Sequence, residues 1–150
     1  MLVEEWSDEP ILDTLSLLKW ALFNFLIGNA DSHAKNLSFL YAGGTVRLAP
    51  FYDLLSTAVY KRVSSRFAMM VGGQKDPSYL MATHLAPFAA EAGIELRTVS
   101  AQLLELCGKV EGAIGPLAES YRVADLCPII IEKIVRVVEQ RLRKAHSLVA

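Results

Sequence analysis

A chain of 150 residues has the size of a single domain, and at that length roughly 70% of the unfolded surface can be buried without a disulfide or metal staple. Hydrophobic residues make up 53% and charged residues 21%, with a mean hydropathy of +0.32, which excludes a disordered chain. Fifteen Lys and Arg against sixteen Asp and Glu leave a net charge of -1, which excludes a global attraction to nucleic acid or anionic lipid and leaves room only for local contacts.

The opening Met1-Leu2-Val3-Glu4-Glu5 has neither a basic region nor a small-residue cleavage site, so no secretory signal is expected and the cytoplasm is the expected compartment. The leader is acidic, with Glu4, Glu5, Asp8, Glu9 and Asp13, and Ser7 before Pro10 offers a cap and a first-turn proline for a helix. Leu12, Leu15, Leu18, Leu22 and Phe25, flanked by Ile11, Phe23, Leu26 and Ile27, make that helix apolar around most of its circumference. Lys19 and Asn24 interrupt it, and the run from Leu15 to Gly28 falls short of the ~20 residues that a bilayer span requires, which marks a core helix ending at Gly28. The polar stretch 29–36 follows. Leu37-Ser38-Phe39-Leu40-Tyr41, Gly43-Gly44 and Thr45-Val46-Arg47-Leu48 then spell a short hairpin.

Beyond Pro50, Arg66-Phe67-Ala68-Met69-Met70-Val71 before Gly72-Gly73 is expected to form another strand, with Met69 and Met70 filling core. Helices are expected over 78–92, 95–121 and 128–148. The last has the clearest stripe, Ile130, Ile134, Val138, Leu142 and Ala145, and Pro128 suits its first turn. Arg141-Leu142-Arg143-Lys144 reads as a solvated face near a helix C-terminus, and Cys107 and Cys127 as reduced, buried thiols. With no repeat or linker, residues 1–150 are expected to form one mainly α domain with a small β-hairpin. A chain that starts almost directly with a buried helix and places its most polar loop in the first quarter looks like the second half of a larger protein.

That loop, Gly28-Asn29-Ala30-Asp31-Ser32-His33-Ala34-Lys35-Asn36, gathers a carboxylate, an imidazole, an ammonium and two amides between a core helix and a hairpin, where functional groups are usually placed. Asp31 and Asn36 stand as D-x-x-x-x-N and Asp53 follows the hairpin, the chain order of base, metal-binding amide and metal-binding carboxylate in kinases. A hydroxyl nucleophile needs a proton acceptor, and nucleotide phosphates need hard oxygen ligands to hold Mg²⁺. By composition alone Asp31 and Asn36 are equally turn formers, Lys35 a solvated charge and Asp53 a helix cap. A metallohydrolase would want a second histidine near His33, whereas His84 and His146 fall in helical segments.

The full run Gly-Asn-Ala-Asp-Ser-His-Ala-Lys-Asn-Leu-Ser, the Gly-Gly hairpin and Leu-Ala-Pro-Phe-Tyr-Asp-Leu-Leu-Ser resembles the catalytic and metal-binding segments of the HipA family. These are serine/threonine protein kinases that act as toxins in bacterial toxin-antitoxin modules. The resemblance is specific over about residues 25–57, and Met-Met-Val-Gly-Gly with a helical tail is consistent with the rest of a HipA-like C-lobe. It implies Asp31 as catalytic base, Asn36 and Asp53 as ligands of Mg²⁺ at the ATP site, Lys35 offsetting phosphoryl charge, and His33 shaping the loop by hydrogen bonding. It further implies a HipB-like DNA-binding antitoxin as partner, with no direct nucleic-acid contact, and translation-related proteins as substrates. The glycine-rich loop and strand lysine of such a kinase are absent, so this chain alone is expected to be inactive. The alternative is a truncated lobe that binds an antitoxin or other partner and turns nothing over. A missing lobe would also bare an apolar patch at Leu12, Leu15, Trp20 and Phe23, and with it a possible homodimer.

Overall fold

The computed structural model describes residues 2–150; Met1, and with it the first residue of the leader read above, lies outside the described residues. A short helix α1 (Leu2–Trp6) precedes the central helix α2 (Pro10–Ile27). The hairpin β1 (Phe39–Ala42) and β2 (Thr45–Leu48) follows, then α3 (Leu85–Glu91), α4 (Leu96–Val123) and α5 (Pro128–Val149). The mainly α architecture with one small antiparallel sheet is the one expected.

Helix α2 starts on Pro10, whose missing N–H costs nothing in a first turn, while Ser7 Oγ accepts from the Glu9 N–H at 3.0 Å and donates to Asp13 at 2.6 Å. It ends at Gly28, whose φ of 71° lets its N–H return to the carbonyls of Asn24 and Phe25. By length and composition α2 is apolar enough to cross a membrane, but here it is the middle of the core. Leu18, Leu22, Phe25 and Leu26 pack with Val99, Leu103 and Cys107 of α4 and Val138, Leu142 and Ala145 of α5. Trp20 is only 3% exposed and stacks on Phe51 at 5.9 Å, so it does not belong to a bare patch; Leu12 is exposed, and Leu15 and Phe23 are partly so.

The hairpin pairs Phe39 with Leu48 and Ala42 with Thr45 around Gly43 and Gly44, whose φ of 60° and 84° suit a two-residue turn. Asp13, 2% exposed, fastens the hairpin to α2: it accepts from the Arg47 guanidinium at 2.9 Å and the Leu48 N–H at 2.8 Å. These donors, Arg47 first, hold its carboxyl down to about 2 against the opposing effect of burial.

Five expectations need correction. Residues 66–71 form no strand; an isolated bridge joins Val71 and Gln74 around the Gly72-Gly73 turn, because no neighbouring edge is offered to that segment. Residues 78–92 are two short 3₁₀ turns, Pro77–Tyr79 and Ala82–His84, followed by α3. Between them Leu80 and Met81 are extended, and the break lets Leu80 reach the core at 2% exposure. Met69 and Met70 are 39% and 53% exposed rather than core filling. Cys127 is exposed with φ 49° at the start of α5, whereas Cys107 is fully buried, its thiol pushed up to about 11 chiefly by that burial. The fifth concerns Arg141. Instead of lying on a solvated face, it is 9% exposed and stands 5.6 Å over the Phe25 ring.

Candidate functional site

The polar loop is built outward from a buried amide. Asn24, 1% exposed within apolar α2, donates to the Trp20 carbonyl at 2.8 Å, which leaves its side-chain oxygen to accept from Asn29 Nδ2 at 2.8 Å. The same Asn29 nitrogen reaches the backbone oxygen of Asp53 at 3.2 Å, and Asn29 Oδ1 accepts from the Asp31 N–H at 3.0 Å. One buried side chain thus ties the loop after α2 to the segment after the hairpin. Thr57 makes a second tie: its hydroxyl accepts from the Ala30 N–H at 2.8 Å, and the Ala58 N–H reaches the Gly28 carbonyl at 3.0 Å. Buried amides and hydroxyls that satisfy one another in this way specify a single loop conformation.

On that base Asn36, 6% exposed at the end of the 3₁₀ turn Ala34–Asn36, directs its amide toward two of the residues singled out from the sequence. Its Nδ2 donates to Asp53 Oδ2 at 3.1 Å and to the backbone oxygen of Asp31 at 3.3 Å. Residues 31, 36 and 53 therefore share one locality. Asp53 is not a helix cap, since residues 51–56 are irregular; it is held at φ 58°, a conformation uncommon for a residue other than glycine and a feature of functional sites. The Asp31 and Asp53 side chains are exposed, as is that of Lys35, so the acidic groups face outward from the buried brace. Tyr52 steadies the Lys35 end: its hydroxyl donates to the Lys35 carbonyl at 3.2 Å.

His33 differs from its expected part. Its Nε2 lies 3.8 Å from Asp31 Oδ1, too long for a hydrogen bond, and its Nδ1 is buried without a partner among the described residues. It packs into the loop instead of bonding it. Sequence reasoning also missed Asn24, Asn29 and Thr57 as the brace. Asn24 was visible as a polar residue inside an apolar helix, a position that calls for a partner when buried. Nothing local pointed to Thr57.

The comparisons with known proteins agree with one another. A profile of the HipA-like C-terminal domain matches residues 1–114. The chain is 37% identical over 118 residues, 79% of its length, to the kinase-named protein Y4mE of Sinorhizobium fredii, and 33% identical over 105 residues, 70% of its length, to the serine/threonine-protein kinase toxin HipA of Shewanella oneidensis. It spans 28% and 24% of those two proteins. Among solved structures it is similar to the Shewanella oneidensis HipA in a complex with HipB and operator DNA, with a TM-score of 0.71 and 26% identity over 91% of this chain and 32% of that one. Loop, hairpin, helical body and these matches together place the chain in the HipA family, as a HipA-like C-terminal domain.

Proposed function

We propose that residues 1–150 form the catalytic C-lobe of a HipA-type serine/threonine protein kinase, transferring a phosphoryl group from ATP to a protein hydroxyl when joined to a lobe that clamps the nucleotide. The single observation that carries this reading is the Asn36 carboxamide, buried and bonded to both Asp31 and Asp53. In the proposed reaction Asp31 orients the attacking hydroxyl and accepts its proton at the exposed carboxylate. Asn36 and Asp53 suit Mg²⁺, because both side chains carry hard oxygen donors and the bond from Asn36 Nδ2 to Asp53 Oδ2 keeps them adjacent, with the other Asp53 oxygen and the Asn36 oxygen not engaged in that bond. The cation, when bound there, would neutralise charge on the nucleotide phosphates. Lys35 offsets phosphoryl charge from the exposed side, and His33 fills the space beside Asp31.

As a HipA-type kinase the protein would act in the cytoplasm, pair with a HipB-like antitoxin that makes the DNA contacts, and take translation-related proteins as substrates. Support for the antitoxin comes from the neighbour's complex with HipB and operator DNA. The alternative, a lobe that binds a partner and turns nothing over, draws on a groove of about 620 Å³ among α2, α4 and α5, lined by Phe23, Ile27, Leu54, Ile114, Leu117 and Ile134. Self-association through Leu12, Leu15 and Phe23 is a separate expectation, read by sedimentation over a concentration series.

The deciding experiment joins the chain to the N-terminal region of a HipA relative and follows phosphoryl transfer. Asp31→Asn should abolish transfer without moving the melting temperature, because an exposed carboxylate adds little to packing, and Asp53→Asn should weaken dependence on Mg²⁺. Transfer that survives Asp31→Asn would remove Asp31 from the role of base, and a folded joined protein that transfers nothing would favour the partner-binding reading. The chain alone should give at most weak heat with Mg²⁺ and ATP in a calorimeter.

A further inference from the structure

Arg141 is a buried cation that the proposed reaction does not use. It sits just past the middle of α5, nine-tenths buried, with its guanidinium over Phe25 and no hydrogen bond or ion pair among the described residues. A largely buried guanidinium normally finds carboxylate or carbonyl partners; the Arg141 nitrogens have none among the described residues and keep only a narrow opening to solvent, and burial here pulls the guanidinium's pKa down, with only the charge of Asp76 acting in the other direction. Such a group is set to receive an anion. It lines a narrow cleft with Gly28, Asn29, Ala30 and, at the rim, Ser65.

Ser65 lies in a segment with a pronounced charge bias. Between residues 54 and 75 stand Lys61, Arg62, Arg66 and Lys75 and no acidic residue, although the chain as a whole carries -1. Residues 60–66 are all exposed, and Lys61, Arg62 and Arg66 form no ion pair among the described residues. Among the described residues the hydrogen bonds of this segment are local, the Val63 N–H to the Tyr60 carbonyl at 3.2 Å and the Arg66 N–H to Ser64 Oγ at 3.2 Å, and beyond it Phe67 is fixed by its N–H to the Lys75 carbonyl at 2.7 Å and by its ring against Phe25. The cleft has no room for a free anion as it stands, which favours one delivered by a rim residue on a pliant loop over one that diffuses in.

We infer that Ser65 is a phosphorylation site and that Arg141 receives its phosphate, fastening segment 60–66 to the back of the polar loop at residues 28–30. A nucleoside triphosphate supplies the group through a protein kinase, this one or another: the serine Oγ–P bond forms as the bridging P–O bond to the nucleoside diphosphate breaks, and the hydroxyl proton leaves to the kinase's base. The product carries close to two negative charges and three acceptor oxygens, which match a guanidinium in bidentate fashion and lie among the unpaired cations Lys61, Arg62 and Arg66. Ser64 is the less suited neighbour, because its hydroxyl accepts from the Arg66 N–H at 3.2 Å and it does not line the cleft.

The test is a phosphorus NMR titration of the full chain with phosphoserine installed at position 65 and, separately, at position 64. The second ionisation of phosphoserine 65 should fall by about one unit relative to the same chain unfolded in urea, since a nearby cation favours the dianion. Arg141→Gln should remove most of that fall, Arg141→Lys should keep part of it, and phosphoserine 64 should show little; circular dichroism identifies which variants remain helical. Phosphoserine 65 titrating alike in folded and unfolded chains, or unaffected by a folded Arg141→Lys or Arg141→Gln, would overturn the inference. So would inorganic phosphate alone shifting the Arg141 side-chain resonance of the unmodified chain to the same extent, because the cleft would then serve free anions.

Discussion

Two irregular segments flank Asp53, and they are held in opposite ways. Residues 28–36 owe their shape to groups outside the loop: Asn24 from α2, Thr57 from beyond the hairpin, and the Asp53 carbonyl, to which the loop's own Asn29 side chain bridges. The hydrogen bonds of residues 60–75 are short-range ones of their own, a Tyr60 to Val63 turn, the Val71 to Gln74 bridge and the Phe67 to Lys75 bond, and the segment meets the core through the apolar side chains of Phe67 and Val71. The difference separates positioning from adaptability. Groups that must meet a reacting centre are braced by buried polar side chains of the rigid body, whereas the neighbouring segment is pinned by the apolar contacts of Phe67 and Val71 and carries its exposed charges at 60–66, outside the packed core.

The largest effect should come from breaking the first segment at its root. Gly28→Ala would place a methyl 2.5 Å from Val137 Cγ1 on backbone at φ 71°, and should cost about 3 kcal/mol in a urea melt through combined clash and strain. A loss below that of a substitution in 60–66 would invert the comparison.

Acid should open a third attachment, the hairpin's. The Asp13 carboxyl is held at about 2 against its ordinary 3.8, so its contribution is present above about pH 4 and is lost as pH falls through 2. The loss should approach about 2 kcal/mol, the worth of such a shift. Urea midpoints of wild type and Asp13→Asn should converge as the pH falls from 7 toward 2.

Smaller, and aimed at the brace itself, Asn29→Ala removes donors to Asn24 Oδ1 and the Asp53 carbonyl and should cost about 1–2 kcal/mol by leaving a buried acceptor without its partner. Amide hydrogen exchange should quicken at Ala30, whose N–H bonds Thr57. The smallest effect belongs to the second segment. Lys61→Ala or Met70→Ser should stay within about 0.5 kcal/mol, as befits exposed side chains outside the packed body. A penalty as large as that of Asn29→Ala would show segment 60–75 to be braced as well.

The contrast also marks how far local sequence reaches. The sequence by itself determined α2, α4, α5 and the hairpin, because apolar spacing, Pro10 and Pro128 at first turns, and Gly28 and Gly43-Gly44 at stops are instructions read within a few residues. The polar loop and the order Asp31, Asn36, Asp53 were equally legible as residue types in a pattern. Tertiary structure alone decided which polar groups are buried and what they meet. Asn24 and Asn29 became a brace, Asp13 a clasp for Arg47, and Arg141 a buried cation, while Met69, Met70 and Cys127 stayed outside. Periodicity names the face of a helix, but the burial of one side chain depends on which distant segment lies over that face. That is settled by packing among residues such as Phe25, Phe67 and Pro77, far apart along the chain and adjacent only when it is folded.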